Sequence, residues 1–241
     1  MLDTSTGRGL PLWPLPLLAG LLPIVATLLA LLLSIRLELV PACNPFVEGC
    51  ISVSRAARHG LPNHLFKALV LPAAALQALT WLLCRSWLAG LSVSGTPPSR
   101  WLRHLAWIGI TAAVFLVLYT AFLGTEGRIY RWLRQYGTVV YFGFTCIAML
   151  ITSDAVMRLG RWHTALARGR FDLALPALCG VLLIAGLINT FVAPFFNVDI
   201  EDRIENATEW WGAATLALVF LVLSWLWRQT RYAAALKVDS G

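Results

Sequence analysis

The sequence predicts an all-α, polytopic membrane helical bundle with six transmembrane helices and both chain ends on the cytoplasmic side (N-in/C-in). Three observations carry this. Several separate apolar runs each approach the roughly 20 residues needed to cross a hydrocarbon core. The composition, 59% apolar and only 13% charged over 241 residues, leaves too few polar side chains to coat a soluble domain of this length. The charges that remain sit between the runs, unequally on the two sides.

The first run covers residues 13–35. It follows a short polar start with one basic residue, Arg8, but it is longer than a signal-peptide core, and Val40-Pro41-Ala42-Cys43 is a distant imitation of a cleavage site, so a retained helix is expected. The second run, 64–84, contains Pro72, which a membrane helix accommodates as a kink when neighbours bond the freed carbonyl. The third spans 101–123. The fourth, 133–153, is less apolar and carries Tyr136, Thr138, Tyr141, Thr145 and Thr152. The fifth, 173–193, is closed by Pro194, and the sixth covers 210–227. No internal repeat, heptad array or low-complexity tract interrupts them, so residues 1–241 read as one integral membrane domain.

With the N-terminus inside, the cytoplasmic segments hold eleven basic residues (Arg8, Arg85, Arg100, Arg103, Arg158, Arg161, Arg168, Arg170, Arg228, Arg231, Lys237) against four acidic ones (Asp3, Asp154, Asp172, Asp239). The other side holds eight of each sign, which orients the chain by the positive-inside rule. The net charge of +7 is therefore topological, and nucleic acid is not an expected partner. All basic residues but Lys67 and Lys237 are Arg, a skew typical of a GC-rich bacterial genome, so the expected location is a bacterial cytoplasmic (inner) membrane. Trp13, Trp87, Trp101, Trp107, Trp132, Trp210, Trp211, Trp225 and Trp227 fall near run ends and read as an interfacial aromatic belt.

Candidate chemistry concentrates on the outer side. The connection 36–63 is long for so small a protein, and its Pro-Phe-Val and Ile-Ser-Val pieces predict an ordered cap. Cys43 and Cys50 both lie in it, and in an oxidising compartment they would close a short disulfide loop; Cys84, Cys146 and Cys179 read as small buried residues of the runs. Ser52, His59 and His64, joined by Glu209 at the start of the sixth run, form a candidate catalytic set for acyl transfer, although Ser and His meet by chance in many loops. Asn44, Lys67, Gln77, Glu126 and Asn189 are candidate lipid or ligand contacts; Gln77 and Asn189 equally suit interhelical hydrogen bonding. Lys67 and Glu209 lie at matching depths, which predicts a contact between them. Glu126, Arg128 and Arg131 beside the acidic stretch 199–209 predict ion pairing across the outer face, with solvated loop charges as the plainer reading. Asn206-Ala207-Thr208 fits the glycosylation pattern but lies too close to the sixth run to be used. No HExxH, GxSxG or phosphate-cradling glycine loop is present, and no metal or cofactor is expected.

Cys50-Ile51-Ser52-Val53-Ser54, a basic spacer to His59-Gly60, and then Leu61-Pro62-Asn63-His64-Leu65-Phe66-Lys67 resemble the "S-I-S…G…P…F/W" signature of the DRAM/FRAG/Sfk-type family of six-helix membrane proteins, which includes GPI-anchor lipid-remodelling proteins. Asn206-Ala207-Thr208-Glu209-Trp210 is similar to the acidic-aromatic start of that family's last helix. The resemblance runs from about residue 14 to 227. It implies handling of lipid near the outer leaflet and marks Ser52, Gly60, Pro62 and Glu209; Arg55, Arg58 and the Cys43/Cys50 pair depart from the pattern. The expected function is thus binding, organising or remodelling of membrane lipid. A lipid acyl-transfer or hydrolase enzyme on the outer face is one alternative. A small-solute transporter or an assembly partner of another membrane protein is the other, the transporter disfavoured by the absence of inverted repeats and broken helices.

Overall fold

The computed structural model describes residues 9–92, 99–160 and 173–234. His163 and the charges Asp3, Arg8, Arg161, Arg168, Arg170, Asp172, Lys237 and Asp239 of the orientation count lie outside these. The chain forms α1 (Pro14–Arg36), α2 (Pro45–Glu48), α3 (Val53–Ala56), α4 (Gly60–Leu91), α5 (Leu105–Ala121), α6 (Arg128–Gly160), α7 (Ala174–Leu187) and α8 (Val198–Gln229). With the 3-10 turn before α5 and the π and 3-10 turns after α7 counted in, six helices are long and apolar enough to cross a membrane, and the protein is a multi-pass membrane bundle.

Three helices run well past their apolar runs: α4 and α8 have 32 residues and α6 has 33. At 1.5 Å per residue α8 measures roughly 48 Å, against about 30 Å of hydrocarbon. Hydropathy marks only the stretch in lipid, while the hydrogen-bonded ladder continues into water. The acidic stretch expected as a loop before residue 210 is accordingly the first turns of α8. The Asn197 side chain accepts a hydrogen bond from the Ile200 N–H at 3.0 Å, and Asp199 and Glu201 stand in the first turn, where negative charge complements the helix dipole. The expected ion pairs across this face do not form; among the described residues the salt bridge is Arg158–Asp154, at 2.8 Å on the opposite face.

The long helices form a ring in sequence order: α1 packs on α4, α4 on α5, α5 on α6, α6 on α7, α7 on α8, and α8 closes onto α1. Small residues set the close approaches, as membrane helices require in the absence of a hydrophobic force between them. Gly109 of α5 receives the Trp81 indole of α4, Gly20 of α1 lies against the backbone of α8 at Ala217, and Gly212 of α8 receives the Phe142 ring of α6. That last contact brings α6 and α8 together inside the ring and leaves α7 at the periphery, where only Leu175 and Cys179 are buried. After α7 the chain makes a π turn (Ile188–Val192) and a 3-10 turn (Ala193–Phe195) around Pro194.

The segments flanking the ring meet each other. β1 (Leu10–Pro11) pairs antiparallel with β2 (Ala233–Ala234), and the Leu12 N–H donates to the Tyr232 carbonyl at 3.1 Å. Both therefore lie on one face, as an even number of crossings requires. Nearby, Trp87 donates through Nε1 to Thr230 Oγ1 at 2.9 Å, and the Trp227 ring stands 6.2 Å from Trp87 and 5.0 Å from Tyr232. Tyr232, beyond the end of α8, donates its hydroxyl to the Leu83 carbonyl at 3.2 Å; burial, with Cys84 adding to it, raises its phenol above the ordinary value.

The aromatic belt is smaller than the sequence predicts. Trp101, Trp107, Trp132 and Trp211 are exposed, but Trp87, Trp210 and Trp227 are buried inside the bundle. Position at a run end sets the depth of an indole, while the helix face it occupies decides whether it meets lipid or protein.

Candidate functional site: a capped apolar slot

Residues 37–59 form an ordered cap over one end of the ring. Asn44 caps α2 by accepting from the Phe46 N–H at 3.1 Å, and Glu48 Oε1 accepts from the Asn44 N–H at 2.7 Å. Ser52 caps α3 by accepting from the Arg55 N–H at 3.2 Å. Cys43 and Cys50 form a disulfide across the loop between them, Cα atoms 6.6 Å apart.

The cap is fastened to the bundle mainly through its own carbonyls. Ser34 Oγ donates to Ala56 O at 2.6 Å, Trp210 Nε1 to Ile51 O at 2.9 Å, Trp211 Nε1 to Phe46 O at 3.1 Å, and Asn206 Nδ2 to Gly49 O at 2.9 Å. Asn63 bridges Ala57 O (2.8 Å) and Leu123 O (3.2 Å). Irregular backbone at the lipid boundary persists only when its polar groups are satisfied, and these bonds do that. Gly49, with φ of +58°, lies so close to the Arg203 backbone that a Cβ has no room. The Phe46 ring fits between Trp210 and Trp211, 5.4 Å from each.

Beneath the cap is a cavity with about 60 Å³ open to the centre of a water molecule, more than the roughly 10–15 Å³ that one water needs. Every long helix except α7 lines it. Its walls are mostly apolar, including Phe66, Val70, Leu116 and Leu216. It extends along α8 from Glu209 to Ala217, eight residues or roughly 12 Å. A smaller apolar crevice between α1 and α8 shares Pro23, Thr27 and Ala213 with it and reaches Phe46 of the cap.

The two ends of the slot differ. The deep end is fixed by Gln77, whose Nε2 donates to Ala19 O at 3.2 Å while its Oε1 accepts from the Tyr141 hydroxyl at 3.2 Å. Pro23 lacks the N–H that would have bonded Ala19 O, so Gln77 repairs the break that this proline leaves in α1. Below it the bundle is filled by Trp81 and Phe220, rings 5.4 Å apart, and the slot is blind. The cap end carries charge. Glu209 lines the slot and accepts a long bond, 3.4 Å, from the Ser54 N–H. Glu205, Arg58 and Arg55 act on it electrostatically, and Tyr119, also lining the slot, feels Glu209, Arg58 and Arg134.

Of the four candidate catalytic residues, Glu209 alone lines the slot. Ser52 stands behind it, Oγ 3.1 Å from Ser54 Oγ, while His59 and His64 are exposed at the start of α4. Gln77 lines the slot and, bonded through both its Nε2 and its Oε1, is interhelical glue at once. Asn189, in the π turn, accepts from Thr208 Oγ1 at 2.7 Å and ties α7 to α8. Asn44 is an exposed cap, and Glu126 is exposed in the α5–α6 connection. Lys67 is half-buried and makes no ion pair with Glu209, contrary to the depth match: equal depth does not place two residues on facing sides of a ring. The sequence reading missed Asn63, Tyr119 and Arg134. Asn63 alone had a signal, a polar residue directly after Pro62 at a helix start.

Comparison with known proteins finds no matching family model, no matching curated relative and no matching solved structure.

Proposed function

We propose that this protein binds and organises a membrane lipid from the leaflet on the cap side, holding one chain of it in the slot beneath the cap. The observation that carries this reading is the blind, mostly apolar slot ending in a charged cluster at the cap, with a crevice between α1 and α8 on its lipid side. An amphiphile has that polarity: apolar length inward, polar group at the interface. The blind end favours binding over passage of a solute. The scattered histidines favour binding over acyl transfer, because a nucleophile and its base must lie within hydrogen-bond reach. The basic excess of the opposite face makes the cap face the outer one, in a bacterial inner membrane, and the resemblance to the DRAM/FRAG/Sfk-type family points to the same lipid handling.

The test is lipid retention. Protein purified in mild detergent is expected to carry tightly held lipid identifiable by mass spectrometry. Ala213→Trp places an indole where slot and crevice meet, and is expected to strip that lipid while the far-ultraviolet dichroism is unchanged. An identical lipid complement in both proteins would reject the reading.

A further inference from the structure

Building on the lipid-binding reading, we propose that the cap end of the slot is a site for a lipid phosphodiester, with Arg58 as its principal ligand, Tyr119 as a second donor and Glu209 as acceptor for a donor on the head group. Arg58 and Arg134 flank one turn just beyond Tyr119: the Arg58 carbonyl lies where a side chain on Gly124 would stand, and Arg134 bonds Phe122 O and Thr125 O. Arg55, Arg58, Arg131 and Arg134 and the carboxylates Glu205 and Glu209 form no ion pair there among the described residues, while Tyr119 and Glu209 line the slot beside them. Charges gathered at a lipid boundary without pairing leave space for a charged group between them. Arg58 Nε is buried and has no hydrogen-bond partner among the described residues. The Tyr119 hydroxyl likewise has none among the described residues, although Tyr119 lines the slot.

Charge and geometry select the ligand. Arg55, Arg58, Arg131 and Arg134 stand against Glu205 and Glu209, a net positive balance, and the buried Nε of the half-buried Arg58 is a donor whose desolvation is offset only when an acceptor meets it. Arginine's planar fork matches phosphate oxygens, and such charge-assisted bonds are about twice as strong as neutral ones. Arg134 is already half committed, donating through one terminal nitrogen to Phe122 O (3.2 Å) and Thr125 O (2.6 Å); this holds its charge beside the site and leaves Arg58 as the free ligand. Glu209 receives only the long Ser54 bond, so its oxygens can accept from an ethanolamine ammonium or a glycerol hydroxyl.

The experiment is a binding series on the purified full chain by native mass spectrometry, using phosphatidylethanolamine, phosphatidylglycerol, phosphatidylcholine, diacylglycerol and oleic acid with matched chains. The two lipids with both a phosphate and a donor are expected to bind best, phosphatidylcholine several-fold more weakly, and diacylglycerol at least about tenfold more weakly, a difference of about 1.4 kcal/mol. Whichever of the first two binds tighter identifies the head-group source. Arg58→Gln is expected to bring phospholipid binding down to the diacylglycerol level, and Tyr119→Phe, which removes one hydroxyl and cannot disturb packing, to weaken it a few-fold. Diacylglycerol or oleic acid binding as tightly as the phospholipids, or Arg58→Gln and Tyr119→Phe binding like the parent, overturns the phosphate site. If Ala213→Trp still abolishes binding in that case, the slot survives as a lipid site without a phosphate ligand. If Ala213→Trp changes nothing, the broader lipid reading falls instead.

Discussion

At the cap face the bundle is closed by hydrogen bonds to irregular backbone: Ser34, Asn63, Asn206, Trp210 and Trp211 each reach a carbonyl of the cap or its flank, and a slot remains underneath. At the opposite face, where the chain ends meet, closure is by stacked rings. Trp87, Trp227 and Tyr232 fill the interior, Ser224 Oγ ties α8 to Trp13 O at 2.8 Å, and Arg228 lies over the Trp13 ring at 5.5 Å. The difference is instructive because both ends are rich in tryptophan. At the cap, Trp210 and Trp211 donate their indole N–H groups to loop carbonyls, so their orientation is set by the cap. At the other end the rings interlock around Trp87, and the hollow on that face is an open groove between α5 and α6, lined by Trp101, Ile147, Asp154 and Arg158. Among its rings one end is solid, and the other is a lid over a space.

That contrast can be broken at either end, and the largest effect is expected at the solid one. Trp227→Ala removes a fully buried indole and is expected to cost about 3–5 kcal/mol, read as a lowered midpoint of thermal unfolding in detergent, with the lipid complement of the remaining folded protein unchanged. Gly49→Val tests the lid. It puts a branched side chain at positive φ against the Arg203 backbone, and a penalty of about 2–3 kcal/mol is expected to appear as faster hydrogen exchange confined to residues 37–59. Exchange rising uniformly along the chain would show that the cap is not a separate unit. Paired Cys43→Ser and Cys50→Ser substitutions should cost roughly 2 kcal/mol, the low end for a short loop, and render the cap sensitive to protease added on its own side. The smallest effect belongs to Gln77→Leu, which leaves Ala19 O and the Tyr141 hydroxyl unpaired. Cross-helix hydrogen bonds in membranes are worth about 0.6 kcal/mol on average and up to about 1.7. A loss of that order in the unfolding free energy is expected, and a stabilised variant would contradict the repair of the Pro23 break.

The two ends were unequally legible from sequence. The cap was foreshadowed by its length, its apolar pieces and its paired cysteines. The acidic stretch was misplaced as a loop, since hydropathy ignores a helix that continues into water. At the solid end, Trp87 and Trp227 read as interfacial anchors, and their burial depended on the neighbouring helices. The candidate site split the same way. Glu209 and Gln77 stood out because a polar group at membrane depth is costly, while Tyr119 and Arg134 resembled ordinary residues of apolar or basic stretches.

By itself the sequence determined the number of crossings, because lipid demands an apolar run of definite length for each. It determined the location of the irregular segment too, because proline, glycine and the cysteine pair interrupt those runs in one place. Only the tertiary structure decided which helices neighbour which, that Gly212 admits Phe142 and so excludes α7 from the slot wall, and that Tyr119 and Glu209 line one slot. Those outcomes depend on the helical face and the ring order. Hydropathy reports the first weakly when lipid and protein interior are equally apolar, and it does not report the second.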